Sequence, residues 1–329
     1  MRWGGRRIIA LDRRLRHVSS SILEALSWGW MTSHLAFQTK GVSWAIRDSG
    51  AKVIPNNADA VTHLAVQVKT QRMPTRNDIL FIRSLRDRNV RHMERKFVVE
   101  GHKCVAEALE SGWPIHGLFC TEASGCPDSW NAEPVQSKDM DRMSAFKTAP
   151  GILAMVGMPD PVAPTPEAWS RDDASVPFGL VVDGLSDPGN LGTLLRTADW
   201  FGLKGVWVSR QTVDVFNAKA IQASMGAVFR VDTWTVDLPE LVVQLAESST
   251  GVFGLDMDGD ALWSLEGAPA TERKWCAIVG SESHGLSDAV REACPQRLHI
   301  PGAGGSESLN AAMAAGIVLS DWSRRIQTV

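Results

Sequence analysis

The sequence predicts an α/β protein in two parts: a small α/β domain, then a larger one built on a mainly parallel sheet. Three observations carry that prediction. From Phe178 onward, apolar runs of strand length alternate with helix-like patterns, the rhythm of a parallel sheet covered on both faces. Three short segments rich in Gly, Ser and Asn each follow one of those runs, as loops at strand ends do. A shorter alternation occupies residues 73–157 and is set off by a proline-dense stretch at 158–177.

Residues 1–72 stand apart. They carry Arg2, Arg6, Arg7, Arg13, Arg14 and Arg16, then Ser19–Ser21 and Trp28 and Trp30, with no sustained period. An acid-poor start containing Arg and Ser is similar to an organellar transit peptide. The other reading takes Met73 as the initiator, because coherent periodicity begins just after it. On either reading the extension is expected to pack weakly.

From Thr75 the pattern sharpens. Ile79, Phe81, Ile82 and Leu85 suit the buried stripe of a helix, with Arg76, Arg83, Arg86, Arg88, Arg91 and Arg95 on its other side and in the following loop. Strands are expected at 96–101, 115–120 and 151–157, with helices at 102–111 and 137–146. Pro159, Pro161, Pro164, Pro166 and Pro177 then argue for a stiff extended linker without a regular element. In the last part, 178–329, strands are expected at 178–182, 205–208, 227–231, 251–255, 275–279 and 297–300. Helices are expected near 189–201, 217–225, 238–247, 287–293 and 308–325.

Composition sets bounds on function. Hydrophobic residues make up 44% and charged residues 22%, as in globular proteins. No apolar run reaches the roughly 18 to 20 residues that span a bilayer. Cys104, Cys120, Cys126, Cys276 and Cys294 contain no CxxC pair, so neither a zinc site nor a disulfide framework is indicated. A reducing cytoplasm is the expected location, with an organelle left open by the Arg-rich start. The net charge of -3 hides an asymmetry: residues 1–100 hold 18 Lys+Arg against 8 Asp+Glu, and the remainder 16 against 29. A basic end of this kind can hold phosphates although the whole chain is slightly acidic.

The three polar segments carry the chemistry. The first runs from Asp183 through Pro188, Asn190 and Gly192 to Arg196. The second holds Gly280, Glu282 and Gly285. The third runs from Ile300 through Ser308, Leu309 and Asn310. Such loops can build one pocket at the carboxyl edge of a parallel sheet. One Gly-rich loop would be weak evidence. Three ordered motifs, Asn-x-Gly-type through Arg196, Gly-x-Glu-x-x-Gly and Ser-Leu-Asn, are strong. In order and spacing they resemble the signature motifs of the SpoU (TrmH-type) RNA ribose 2′-O-methyltransferases, within the knotted SPOUT class. The segment Phe97–Gly101 resembles that family's N-terminal substrate-binding domain, itself similar to an RNA-binding ribosomal protein. Gln222–Arg230 resembles the family's stretch between its first two motifs.

The resemblance implies a deep trefoil knot, a homodimer whose sites are completed by both subunits, S-adenosylmethionine as cofactor, RNA as partner and no metal. It assigns Gly280, Ile300 and Leu309 to the cofactor. Chemistry agrees, since this ligand has no phosphates and needs a close-approach glycine and apolar walls with free backbone groups. The other reading of Ile300 and Leu309 is plain core. Arg196, Asn190, Glu282, Ser308 and Asn310 are the expected catalytic set. From Asn190 a helix puts Arg196 nearly two turns on and close to the same face. Arg196 is either the base for the ribose hydroxyl, which a guanidinium performs only with special help, or a clamp on the target phosphate. Ser308 and Asn310 open the last helix, where an anion is favoured and where Ser308 can cap. His284 is discounted as a base. Ala311–Met313 departs from the family's usual residues, which bears on dimer packing. The expected substrate is large-subunit rRNA, with tRNA or a catalytically dead RNA-binding scaffold as alternatives. A nicotinamide dehydrogenase is disfavoured because no glycine fingerprint with its acidic partner follows the first strand.

Overall fold

The computed structural model describes residues 35–39, 42–47, 50–55, 73–172, 176–248, 250–269, 273–305 and 307–328. The chain forms two units, 1–70 and 71–329. In the first, β1 (Leu35–Thr39), β2 (Val42–Arg47) and β3 (Gly50–Pro55) form an antiparallel sheet, which the sequence reading did not anticipate. The rest of the expected weakly packed extension, and the question of its start, lie outside the described residues.

The second unit begins with α1 (Arg76–Ser84), capped by Thr75 and Asp78 in a reciprocal capping box. Ile79 and Ile82 face inward from it, three residues apart as a helix stripe requires. Asp87 caps α2 (Arg88–Glu94) through the backbone N–H groups of Asn89 and Val90. There follow β4 (Lys96–Glu100), α3 (His102–Glu110), β5 (Ile115–Cys120), β6 (Glu133–Pro134), α4 (Ser137–Met143) and β7 (Ile152–Gly157). The sheet order is β4-β7-β5-β6, with β7 antiparallel to both β4 and β5.

One expectation fails in the proline-rich stretch, where α5 (Pro166–Ser170) is a regular helix. Pro166 stands in its first turn, where no backbone donor is needed, and the Thr165 hydroxyl caps Ala168. The helix buries Trp169 edge-on against Trp207, with ring centroids 5.2 Å apart. Proline density therefore limited the length of the element and did not forbid one.

The larger sheet has the order β10-β9-β8-β12-β11-β13 and is parallel throughout. Its strands are β8 (Phe178–Val182), β9 (Gly205–Val208), β10 (Asp232–Thr235), β11 (Gly251–Ala261), β12 (Trp275–Val279) and β13 (Gln296–His299). The helices are α6 (Pro188–Trp200), α7 (Ala218–Ser224), α8 (Leu238–Glu247), α9 (Asp288–Ala293) and α10 (Ala311–Thr328). On one face, Leu191, Leu194 and Leu195 of α6 and Val318, Leu319 and Trp322 of α10 meet the sheet. On the other face lie Trp169, Leu241 and Val290 from α5, α8 and α9. Because both faces are covered, β8 and β12 are buried at every position, which is why they read as continuous apolar runs.

Two further expectations are corrected. Residues 227–231 are not a strand: Ala227–Phe229 form a 3-10 turn, and the strand follows at 232–235. Those residues are apolar because they pack beneath α6 and against the small sheet, not because they belong to a ladder. The last helix opens at Ala311 rather than 308. Gly192 marks how closely α6 and α7 approach: a Cβ there would lie 2.3 Å from the carbonyl oxygen of Ala220.

Candidate active site

Three loops leave the carboxyl edge of the large sheet: 183–187 after β8, 280–287 after β12 and 300–310 after β13. The last returns from edge strand β13 past β11 and β12 to reach the start of α6 beside β8. Each loop is shaped by local chemistry. Asp187 Oδ1 accepts from the Asn190 backbone N–H at 2.8 Å, so the motif's aspartate caps α6 with Pro188 in its first turn. At Gly280 a Cβ would stand 2.1 Å from the carbonyl carbon of Gly285, so any other residue would force the backbone apart. That closeness lets Ser281 and Gly285 exchange two backbone hydrogen bonds, at 2.8 and 3.0 Å. The far end of the loop is tied down where Ser287 N–H donates to Asp183 Oδ2 at 2.8 Å.

The three motifs meet in one hydrogen-bonded chain. Asn190 Nδ2 donates to Glu282 Oε1 at 2.7 Å, and Asn310 Nδ2 donates to Asn190 Oδ1 at 2.9 Å. The Ser186 hydroxyl donates to Glu282 Oε2 at 3.4 Å. Asn310 Oδ1 in turn accepts from the N–H groups of Ala312 and Met313, at 3.0 and 3.3 Å. Asn310 is thus the cap of α10, a role the sequence had offered to Ser308. Partial burial by itself would raise the Glu282 pKa. The Asn190 amide and the backbone N–H groups of Glu282, Ser186 and Asp187 outweigh it and hold this carboxyl below its ordinary range.

The remaining expected residues sit around this chain. Ser308 is exposed and, among the described residues, has no hydrogen-bond partner. Leu309 is 51% exposed, so it is not core. Ile300 is half-buried against the apolar layer of the sheet. Arg196 is exposed and has no ion-pair or hydrogen-bond partner among the described residues. It does not share the face of Asn190: six residues at about 100° each turn it about 120° away. Its neighbours on that outward stripe are Thr193, Thr197 and Trp200. His284 is exposed, with Nδ1 2.8 Å from the Ser283 hydroxyl.

Three contributors were missed by sequence reasoning: Asp183, Ser186 and Asp187. Two had a legible signal. Asp187 precedes a proline at a helix start, and Asp183 is an acid directly after five buried apolar residues. Only the fold shows that Ser186 faces Glu282. Among the described residues no group of three or more His, Cys, Asp or Glu is placed to hold a metal ion, and no helix is long and apolar enough to cross a membrane.

A parallel sheet whose polar motif loops gather at one carboxyl edge, behind a small four-stranded sheet, defines an α/β protein with a strand-end active site. Residues 177–320 match the SpoU rRNA Methylase family, and residues 76–154 match the MRM3-like substrate binding domain. A tRNA/rRNA methyltransferase of uncharacterised specificity from Mycobacterium avium is 34% identical over 72% of this chain and 80% of its own. The 23S rRNA (guanosine(2553)-2′-O)-methyltransferase RlmP of Bacillus subtilis is 30% identical over 72% of this chain and 92% of its own. The structure of the SpoU methyltransferase AviRb of Streptomyces viridochromogenes, in complex with AdoMet, superposes with a TM-score of 0.65 at 26% identity, covering 77% of this chain and 99% of its own. The chain belongs to the SpoU rRNA methylase family.

Proposed function

We propose that this protein is an S-adenosylmethionine-dependent methyltransferase acting on a ribose 2′-hydroxyl of large-subunit rRNA. The observation that carries the reading is the Glu282–Asn190–Asn310 chain, which draws all three motifs to one edge of the sheet. The naming of RlmP as a 23S rRNA 2′-O-methyltransferase supports the choice of substrate. The naming of other relatives as tRNA/rRNA methyltransferases keeps tRNA as the second reading.

The residues present suit the cofactor. Loop 301–309 is exposed wherever it is described, and none of its described backbone groups bonds to another backbone group. With Ile300 and Leu309 as apolar walls and the tight turn at Gly280, this edge offers unengaged N–H and C=O groups to an adenine rim. When bound, S-adenosylmethionine supplies an electrophilic methyl group on a sulfonium. The chain's own part is placement. Asn190, Glu282 and Asn310 brace the loops against each other, Ser308 remains free to bond the substrate, and Arg196 grips the target phosphate so that the ribose oxygen is aligned.

Arg196 lies on the stripe of α6 that faces outward, one turn from the exposed Trp200 (84%), and α10, which packs on α6, also leaves Met313 exposed (60%). Exposed apolar side chains on α6 and α10, with an arginine that has no partner among the described residues, support a homodimer in which Arg196 works at a site shared between subunits. The exposed Arg76, Arg83, Arg88 and Arg95 of the small domain would select the RNA through its phosphates. The test is transfer of labelled methyl groups to total rRNA and to tRNA from a strain lacking the gene, followed by mapping of ribose methylation. Label in large-subunit rRNA is expected. Label confined to tRNA moves the substrate to the second reading, and failure to bind S-adenosylmethionine in calorimetry removes the enzyme reading altogether.

A further inference from the structure

A half-open cleft of about 280 Å³ lies between the small sheet's helices and the start of α6 and α7. We propose that it binds a single nucleotide of the RNA, next in the strand to the ribose being methylated. This inference rests on the methyltransferase reading above.

Position is the first argument. Pro188, two residues before Asn190, forms part of the cleft wall, so a strand threading the cleft emerges at the motif cluster. Chemistry is the second. The cleft is lined by Phe146 and Phe216, by apolar side chains including Ile82 and Val98, and by Arg86 and Lys219. Lys219 is exposed and, among the described residues, meets no carboxylate. An apolar slot with aromatic sides and a free cation at its mouth matches a base with its phosphate. Its volume sits near the lower end of ligand pockets, roughly 300 Å³, which suits one base rather than a longer segment.

Construction is the third argument. Both walls are fixed by buried polar groups. On one side Glu100, 4% exposed, accepts from the Ser144 hydroxyl and from Ala145 N–H at 2.7 Å. The Ser144 hydroxyl oxygen then accepts from Phe146 N–H at 3.1 Å, and the Arg86 guanidinium donates to the carbonyls of Arg142 and Ser144. On the other side Arg91 Nε donates to Asp214 Oδ2 at 2.9 Å, while Asp214 Oδ1 accepts from Phe216 N–H at 3.1 Å. Asn217 N–H donates to the Asp214 carbonyl, and the Asn217 side chain caps the helix at Lys219 N–H. Apolar residues of similar shape would hold two sheets together without the desolvation that buried charges incur. What the charges add is a set backbone geometry at Phe146, Phe216 and Lys219, the residues that would meet a nucleotide.

The test uses the full chain with Phe146→Ala, Phe146→Trp, Lys219→Ala and Lys219→Arg. The RNA probe is whichever pool the wild type labels, large-subunit rRNA or tRNA. Phe146→Ala is expected to raise the KM for RNA about tenfold, the loss of one base stack, with kcat and the S-adenosylmethionine Kd within about twofold. Phe146→Trp should restore the KM. Lys219→Ala should reduce the salt slope of RNA binding by about one, and Lys219→Arg should retain it. An unchanged KM and salt slope in an active enzyme would overturn the cleft and leave the methyltransferase reading intact. So would a raised KM that Phe146→Trp fails to restore and that tracks a lowered Tm. If the wild type methylates no RNA, the enzyme reading falls. Filter binding of the large-subunit rRNA transcript then decides the cleft by itself, weakened binding by both Ala variants supporting it and unaltered binding refuting it.

Discussion

The joint between the small and large sheets buries a charged pair, whereas the carboxyl-edge cluster leaves its polar groups facing solvent. At the joint, the side chains of Arg91 and Asp214 are each 5% exposed, and Arg91 also donates to the carbonyls of Leu85 and Arg86 at 2.9 and 2.8 Å. Arg230 joins Glu107 of α3 to Asp199 of α6 nearby. At the edge, Asn190 holds both Glu282 and Asn310, while Arg196 and Ser308 have no hydrogen-bond or ion-pair partner among the described residues. The buried polar groups at the joint have their partners inside the chain. Those at the edge still have donor and acceptor capacity for a ligand. One region fixes geometry, and the other is left chemically unfinished until substrate arrives.

The largest expected effect lies at the joint. Arg91→Met strips the partner from a buried Asp214, and losing one member of such a pair costs about 3–5 kcal/mol. Urea denaturation should show it, and Arg91→Met with Asp214→Leu should recover most of the loss because no orphaned charge remains. His92, whose Nε2 lies 3.6 Å from Asp214 Oδ1, can compensate only in part. A single-variant loss near that of an ordinary surface substitution, within about 0.5 kcal/mol, would show that the joint does not depend on this pair and would erase the contrast.

The next effect reverses the pattern. Arg196→Lys should leave the urea midpoint and the S-adenosylmethionine Kd unaltered, since Arg196 makes no hydrogen bond or ion pair among the described residues. Methyl transfer should fall on the order of 10²-fold, because an ammonium cannot reproduce the guanidinium fork and a displaced substrate loses its alignment. Near-normal turnover would remove Arg196 from the reaction and leave the edge with its braces alone.

These two arginines also show what the sequence could and could not reveal. Both stand in helices with mixed neighbours, and sequence reasoning placed Arg91 with the other arginines on the outer side of a helix and its following loop. Its partner Asp214 is 123 residues away, and no local pattern reports a contact of that range. Where the information was local, it was legible. The strands at 178–182, 205–208 and 275–279 and the helix at 238–247 fall where the apolar runs put them. The run at 227–231 misled because an apolar segment packed between two layers resembles a strand without joining a ladder. In the cluster, the motifs named Asn190, Glu282 and Asn310. That one asparagine bridges the other two, and that Asn310 rather than Ser308 caps the helix, depends on the return of loop 300–310 across the sheet.

The smallest effect separates the regions by pH. Burial pushes the Glu100 carboxyl above its ordinary value of 4.5, with the Ser144 hydroxyl, the Ala145 N–H and the Arg86 charge only partly opposing. The folded chain therefore holds this proton more readily than the unfolded chain. Between 4.5 and the raised folded value, stability falls as pH rises and then levels. Glu282 behaves oppositely. Its depressed carboxyl contributes stability that is complete above its unfolded value and is lost as pH falls through the lower folded one. Glu100→Gln keeps an acceptor for Ala145 N–H and removes the charge. Relative to this variant, the wild type should be favoured by acid and lose that advantage as pH rises above 4.5, read from urea midpoints across the range. A difference that stays flat would mean that Glu100 is no more costly to ionise in the fold than outside it. The cleft wall at Ser144–Phe146 would then be held by a carboxylate whose charge burial does not penalise, and the joint would resemble the open edge it is contrasted with.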